Sequence, residues 1–116
     1  MELKKYLDNP RIYNEEKIRT YPLILCNLSK WLANAKRYHE CIAMCDRAID
    51  YCIENDSLEI LADVNFNKGF ALNKIGNKED AILYITQSYY IAKACKKEDM
   101  SQVIKDFLLD NYTIKV

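Results

Sequence analysis

Apolar residues recur at helical spacing along the chain. Cys41, Cys45 and Cys52 stand at i, i+4 and i+11, on one face of a helix. Val103, Ile104, Phe107 and Leu108 stand at i, i+1, i+4 and i+5, one apolar stripe suited to packing on the helix before it. Local signals divide the chain into five helices. Asn14-Glu15-Glu16 reads as a start, with acids at the positive end of the helix dipole, and this helix runs to about Ala35. Pro22 sits early in it, either as a kink or as the true first turn. A second helix runs from Tyr38 to about Asn55. Asp56-Ser-Leu-Glu59 has capping-box spacing and opens a third, which ends at Ile75. Gly76 is placed as a left-handed stop and Asn77 as the next cap. The fourth helix ends near Cys95. Glu98 and Asp99 open a fifth, which ends near Asn111. Residues 1–13, with the turn signal Asn9-Pro10, are expected to be a linker or the end of an upstream helix, and 14–116 the helical domain.

A shift of 40 residues aligns the chain with itself. Identities fall at Asn27/Asn67, Leu32/Leu72 and Ile42/Ile82, and small residues match at Ser29/Gly69, Cys41/Ala81 and Ala48/Ser88. An acid, Glu40 or Asp80, precedes the small residue of each second helix. Antiparallel helices approach closely only where one side chain is small, so large and small positions in a fixed order describe two helical hairpins. Stacked hairpins bury a continuous core. The other reading of the same pattern is a plain four- or five-helix bundle with chance self-similarity.

Composition narrows the class. Half of the 116 residues are hydrophobic and only two are Gly and two Pro, which excludes disorder and a turn-rich β protein. The length suits one domain. No 18-residue apolar run exists to span a membrane, and Met1-Glu2-Leu3-Lys4-Lys5 is not the start of a secretory signal. Basic and acidic residues number 17 each, without the basic excess that phosphate neutralisation requires. Five Cys, an odd number, imply free thiols in a reducing, cytoplasmic setting.

Candidate chemistry is sparse. Cys41, Cys45 and Cys52 with the single histidine, His39, make either a metal or redox cluster or plain core packing. No pair has CxxC spacing, and His39 and Cys41 project to different sides of a helix, which favours packing, with no metal and no cofactor. Two glycines cannot build a phosphate loop. Glu15-Glu16, Glu79-Asp80 and Glu98-Asp99 sit at helix starts, where dipole capping accounts for them, so no enzyme is expected.

The run Gly69-x-Ala71-Leu72-x-x-x-Gly76-x-x-x-x-Ala81-Ile82 resembles the tetratricopeptide repeat. In the first copy Ser29, Lys36 and Cys41 stand in place of the glycines and the alanine. The step of 40 also exceeds the family's usual length of about 34, so an extended second helix or following loop is expected. The words Asn27-Leu28-Ser29-Lys30-Trp31-Leu32, Arg37-Tyr38-x-Glu40-Cys41-Ile42, Cys45-Asp46-x-Ala48-Ile49 and Asn67-Lys68-Gly69 resemble the carboxy-terminal repeat region of Firmicutes helix-turn-helix regulators of the Cro/repressor type, relatives of the peptide-pheromone sensors. The resemblance covers about residues 15 to 114 and lacks the DNA-reading domain.

The resemblance implies an all-α fold of two tetratricopeptide-like hairpins with a capping fifth helix. It implies a non-catalytic module that binds an oligopeptide or protein segment in a concave groove and dimerises, reaching DNA only through an upstream domain. The groove residues would be Asn27, Lys30 and Asn34 in one copy and Asn67, Phe70 and Lys74 in the next. Asn27 and Asn67 match the family's peptide-contacting asparagines. An amide there can donate to and accept from an extended peptide backbone, unless it only faces solvent or bridges helices. Phe66 and Phe70 either floor the groove or belong to the core. A homodimer through terminal-helix surfaces is expected, with Leu109 and Tyr112 at one end and Ile12, Tyr13, Ile18 and Tyr21 at the other. The competing function is a passive protein–protein interaction or oligomerisation scaffold with no small ligand.

Overall fold

Helix starts fall on a fixed step. The computed structural model describes residues 10–116, with side chains from Thr20 onward. Helix α1 spans Pro10–Asn34, α2 Tyr38–Glu54, α3 Leu58–Lys74, α4 Lys78–Ala94 and α5 Glu98–Tyr112. From α2 on, each start (38, 58, 78, 98) lies twenty residues after the last. The 40-residue shift is therefore two 17-residue helices with two short turns. The length is shared by both helices of a hairpin, not added to the second helix or its loop as the sequence suggested.

The turns share one device. Lys36, Asp56, Gly76 and Lys96 each have positive φ, between 55° and 88°. The amide after each reaches back to the last turn of the preceding helix: Arg37 N–H to Leu32 O, Ser57 to Cys52, Asn77 to Leu72 and Lys97 to Ala92, all at 2.9 Å. This is the Schellman closure, which satisfies carbonyls that the helix end leaves open. Only Gly76 was legible as such a stop. Asp56 is the left-handed residue and not a cap; Ser57 holds the N-cap position without a side-chain cap bond. Asn77 does cap α4, its side chain accepting from Asp80 N at 3.4 Å. The start expected at Asn14 also moves, because α1 already begins at Pro10. Asn14 to Glu16 therefore lie inside the helix. Pro22 is likewise interior and does not mark the first turn.

A non-glycine residue in the left-handed region is strained by about 1 kcal/mol. Lys36→Gly, Asp56→Gly and Lys96→Gly should each raise the melting temperature, by about 4 °C for a stabilisation of that size. Gly76→Ala should lower it. Thermal melts by circular dichroism read both signs, and unchanged glycine variants would show that these turns carry no strain.

Each helix packs on the next, and α1 packs also on α3. One core cluster joins Leu25 and Leu32 of α1, Cys41, Cys45 and Ala48 of α2, and Val64 and Ala71 of α3. A second joins Leu72 of α3, Ala81, Ile85 and Tyr89 of α4, and Ile104 and Leu108 of α5. Ile42 touches both. Cys41, Cys45 and Cys52 are fully buried while His39 is exposed, so these thiols serve as small core residues. The described residues form an all-α fold without strand, and no described helix is long and apolar enough to cross a membrane.

Helix α5 splits its stripe in three. Ile104 and Leu108 are buried in the second cluster. Phe107 turns to α3, edge-on to Phe66 at 5.4 Å. Val103 remains 60% exposed. Tyr112, expected to be open to a partner, is half-buried and donates its hydroxyl hydrogen bond to Asn73 Oδ1 at 2.6 Å. The side chains of Ile12, Tyr13 and Ile18 lie outside the described residues.

Candidate functional site

The odd-numbered helices line one side of the stack. Between α1, α3 and α5 lies a groove of about 480 Å³. Helix α1 contributes Leu23, Cys26, Asn27 and Lys30; α3 contributes Asp63, Phe66 and Asn67; α5 contributes Asp99, Met100 and Val103. Apolar and polar side chains therefore alternate around one concavity, the usual make-up of a site that buries part of a ligand and orients the rest.

Of the six residues expected there, the fold brings Asn27, Lys30 and Asn67 together. Asn34, the exposed last residue of α1, does not line the groove. Phe70 is half-buried against the first core cluster and tilted on Phe107 at 6.4 Å, and Lys74 places its ammonium 5.4 Å from the Phe70 ring. Phe70 therefore belongs to the packing between α3 and α5, whereas exposed Lys74 stays beside it on α3. Phe66, by contrast, reaches the groove wall as well as the second cluster.

The two register-matched asparagines differ in their surroundings. Asn67 is half-buried because α1 covers that part of α3. Its Nδ2 donates to Ser29 Oγ at 3.0 Å and to Cys26 O at 3.5 Å. Ser29 in turn donates to Cys26 O at 2.6 Å. The amide nitrogen is thus committed to holding α3 on α1, and its oxygen is the acceptor left for a ligand. Asn27 is exposed, and no described helix covers it. Lys97 Nζ donates to Glu59 O at 3.2 Å and pairs with Asp63 Oδ2 at 3.1 Å, pinning the start of α5 to α3 at the groove edge. That pairing leaves Lys30 and Asp99 as the exposed groove charges.

The α5 residues of the groove were not anticipated from sequence. The 40-residue register does point to them: Leu23, Asp63 and Val103 are equivalent, as are Glu59 and Asp99, and Ile60 and Met100. Reading α5 as a further first helix, and not only as a cap, would have found them.

Cys26, Cys45 and Cys52 are poorly suited to nucleophilic work. Burial pushes Cys26, at the groove wall, up to about 11, aided by the charge of Asp63. Burial does the same to Cys52, up to about 11. Contact with the Cys41 thiol, then burial, pushes Cys45 higher still. Among the described residues no group of three His, Cys, Asp or Glu side chains is placed to hold a metal ion. The pH consequence has a definite sign. The folded state holds these thiols protonated above the ordinary value of 9.0, so their contribution is complete below that pH and lost as pH rises toward about 11. Urea unfolding across this window should show stability falling with pH. Cys26→Ala with Cys52→Ala should flatten the slope. A wild-type profile flat to pH 11 would refute the burial effect.

Compared with family models, with curated proteins and with solved structures, the chain matches none.

Proposed function

We propose that this chain is the oligopeptide-sensing repeat domain of a cytoplasmic transcriptional regulator, tetratricopeptide-like in its hairpins and non-catalytic, with DNA contact left to a separate helix-turn-helix domain. The observation that carries the reading is the groove between α1, α3 and α5, where Asn27, Lys30 and the Asn67 amide share one concavity with Phe66, Met100 and Val103. An extended peptide needs that combination. The Asn27 amide and the Lys30 ammonium can donate to its backbone carbonyls, the Asn67 oxygen can accept from a backbone N–H, and an apolar floor accepts alternate side chains. Asn67 supports the reading further, because its bond to Ser29 fixes the amide before any ligand arrives, which lowers the ordering cost of binding.

The test is selection of random heptapeptides displayed on phage against the full chain, followed by calorimetry on the enriched sequence. Asn27→Ala combined with Lys30→Ala should weaken binding by about 10-fold or more, since each lost polar contact is worth roughly 1 kcal/mol. The same pair should leave the melting temperature unchanged, both residues being exposed. Asn67→Ala should weaken binding and also destabilise the fold by about 1 kcal/mol, because α3 loses its hydrogen bond to α1. Failure to enrich any sequence, or affinity indifferent to the Asn27/Lys30 pair, would overturn the proposal.

A further inference from the structure

The groove has an electrical polarity. Of its three charged residues, Asp63 is neutralised by Lys97. The other two, Lys30 and Asp99, are exposed and have no ion-pair partner among the described residues. Hydrogen bonds between helices fix how far apart they stand. The starts of α3 and α5 are level, because Lys97 meets Glu59 O and Asp63. Their ends are level as well, because Tyr112 meets Asn73. Asn67 in turn is level with Cys26 and Ser29 of α1. The three helices therefore run parallel. Asp99, the second residue of α5, stands near the start of α3, and Lys30, one residue past Ser29, stands just beyond Asn67. Roughly ten residues of helix separate the two levels, or about 15 Å along the axes. Phe66, Met100 and the Asn67 amide, all half-buried, lie between them.

Resting on the oligopeptide reading above, we propose that Asp99 and Lys30 are specificity-determining residues, and that the groove selects a peptide carrying an ammonium group and a carboxylate about five residues apart, with uncharged residues between. Charge complementarity names the two groups. An unpaired charge at the lip of a partly apolar concavity attracts its opposite and rejects its like, and the rejection is the larger effect. The separation sets the length, since an extended chain rises about 3.3 Å per residue and about five residues reach from one pole to the other. Phe66 and Met100 lie under the middle of such a chain and favour apolar side chains there. Asp99 is the decisive pole. With Asp63 neutralised, α1 and α3 alone would offer amides and a cation, whereas α5 adds the anion. Its neighbour Glu98 shares the favourable N-terminal turn of α5 but does not line the groove and pairs with Lys93 at 3.7 Å. The ammonium and the carboxylate come either from the two free ends of a pentapeptide or from a basic and an acidic side chain of a longer segment.

The test is calorimetric titration of the full chain with synthetic pentapeptides in low salt, where exposed charges are least screened. Ac-KLALE-NH2 should bind about 10-fold more tightly than Ac-KLALK-NH2, Ac-ELALE-NH2 or the scramble Ac-LAKEL-NH2, which has the same composition with its charges adjacent. A gain of free-ended LALAL over Ac-LALAL-NH2 shows that chain ends serve as the poles. A gain of Ac-KLALE-NH2 alone shows that side chains do, and either result supports the proposal. Lys30→Glu should move the preference to Ac-KLALK-NH2. Asp99→Asn should bring Ac-KLALE-NH2 and Ac-ELALE-NH2 to within about 2-fold of each other. Glu98→Gln should leave the wild-type order unchanged, which separates the groove from a general effect of acids at the start of α5. Circular dichroism checks that all three variants are folded. Probes that bind alike whatever their charges, or a preference that survives Asp99→Asn, would overturn this proposal and leave the oligopeptide reading standing. Absence of binding by every probe at about 1 mM would also overturn it, whereas the oligopeptide reading falls only if the phage selection enriches nothing.

Discussion

Gly69→Ala is expected to destabilise the fold by about 2–3 kcal/mol, although alanine is the better helix former by about 1 kcal/mol. The sign is decided by space. A Cβ built on Gly69 would stand 2.4 Å from Ile85 Cγ1 and 3.1 Å from the Ala81 carbonyl oxygen. Ile85 is fully buried, and the carbonyl belongs to the backbone of α4, so neither has room to retreat. Helices α3 and α4 would have to separate, losing contacts through the second cluster, and the melting temperature should fall by about 10 °C or more. The first repeat shows how the chain solves the same problem differently. There Ser29 occupies the register of Gly69, and Cys45 that of Ile85. A larger residue on the first helix is matched by a smaller one on the second. Gly69→Ser combined with Ile85→Cys should therefore be tolerated better than the sum of its two single changes. Denaturant titration of the four proteins measures the coupling, expected at about 1 kcal/mol or more. A Gly69→Ala variant that melts higher than the parent would refute the close approach.

That pair also shows why some of the fold was legible. A residue that must be small, or must adopt positive φ, leaves a mark in composition when glycine fills it, as at Gly69 and Gly76. It leaves none when Lys36, Asp56 or Lys96 is held in the same left-handed geometry by the turn and its helix-end hydrogen bonds. Helix existence followed from periodicity. The helical state of Asn14 and the left-handed role of Asp56 did not, because Asn14 and the Asp56–Glu59 spacing offered locally plausible caps. The groove was legible to the extent that it is periodic. Asn27, Lys30 and Asn67 line it together through the register of first helices, whereas Phe70 is drawn into the contact with Phe107, a long-range partner that no spacing reveals, and Lys74 stays beside Phe70. The contributions of Asp99, Met100 and Val103 were missed because α5 combines two roles, closing the core with one face and extending the groove with another.

The two roles of α5 make neighbouring substitutions diverge. Leu108→Ala is expected to cost about 2–5 kcal/mol, a large part of the stability of a domain this size. Leu108 is fully buried beside Ile104 in a cluster that also takes Ile114 and Val116 of the tail, so its removal leaves a cavity at the centre of that packing. The vacated volume opens onto Ile85 and Tyr89 of α4 and Leu72 of α3, so the loss spreads through the second cluster. Loosening α5 also weakens its polar ties to α3, Tyr112 to Asn73 and Lys97 to Asp63. Leu109→Ala, one residue on and 42% exposed, should change stability by no more than about 0.5 kcal/mol. Val103→Ala should be equally mild in stability, being 60% exposed, and should act instead on groove affinity. Equilibrium unfolding in urea, with Phe66 and Phe107 left in place to keep their edge-on contact, gives the three values directly. A Leu108 variant as stable as the Leu109 variant would mean that α5 does not close the core, and the second cluster would then have to end at α4.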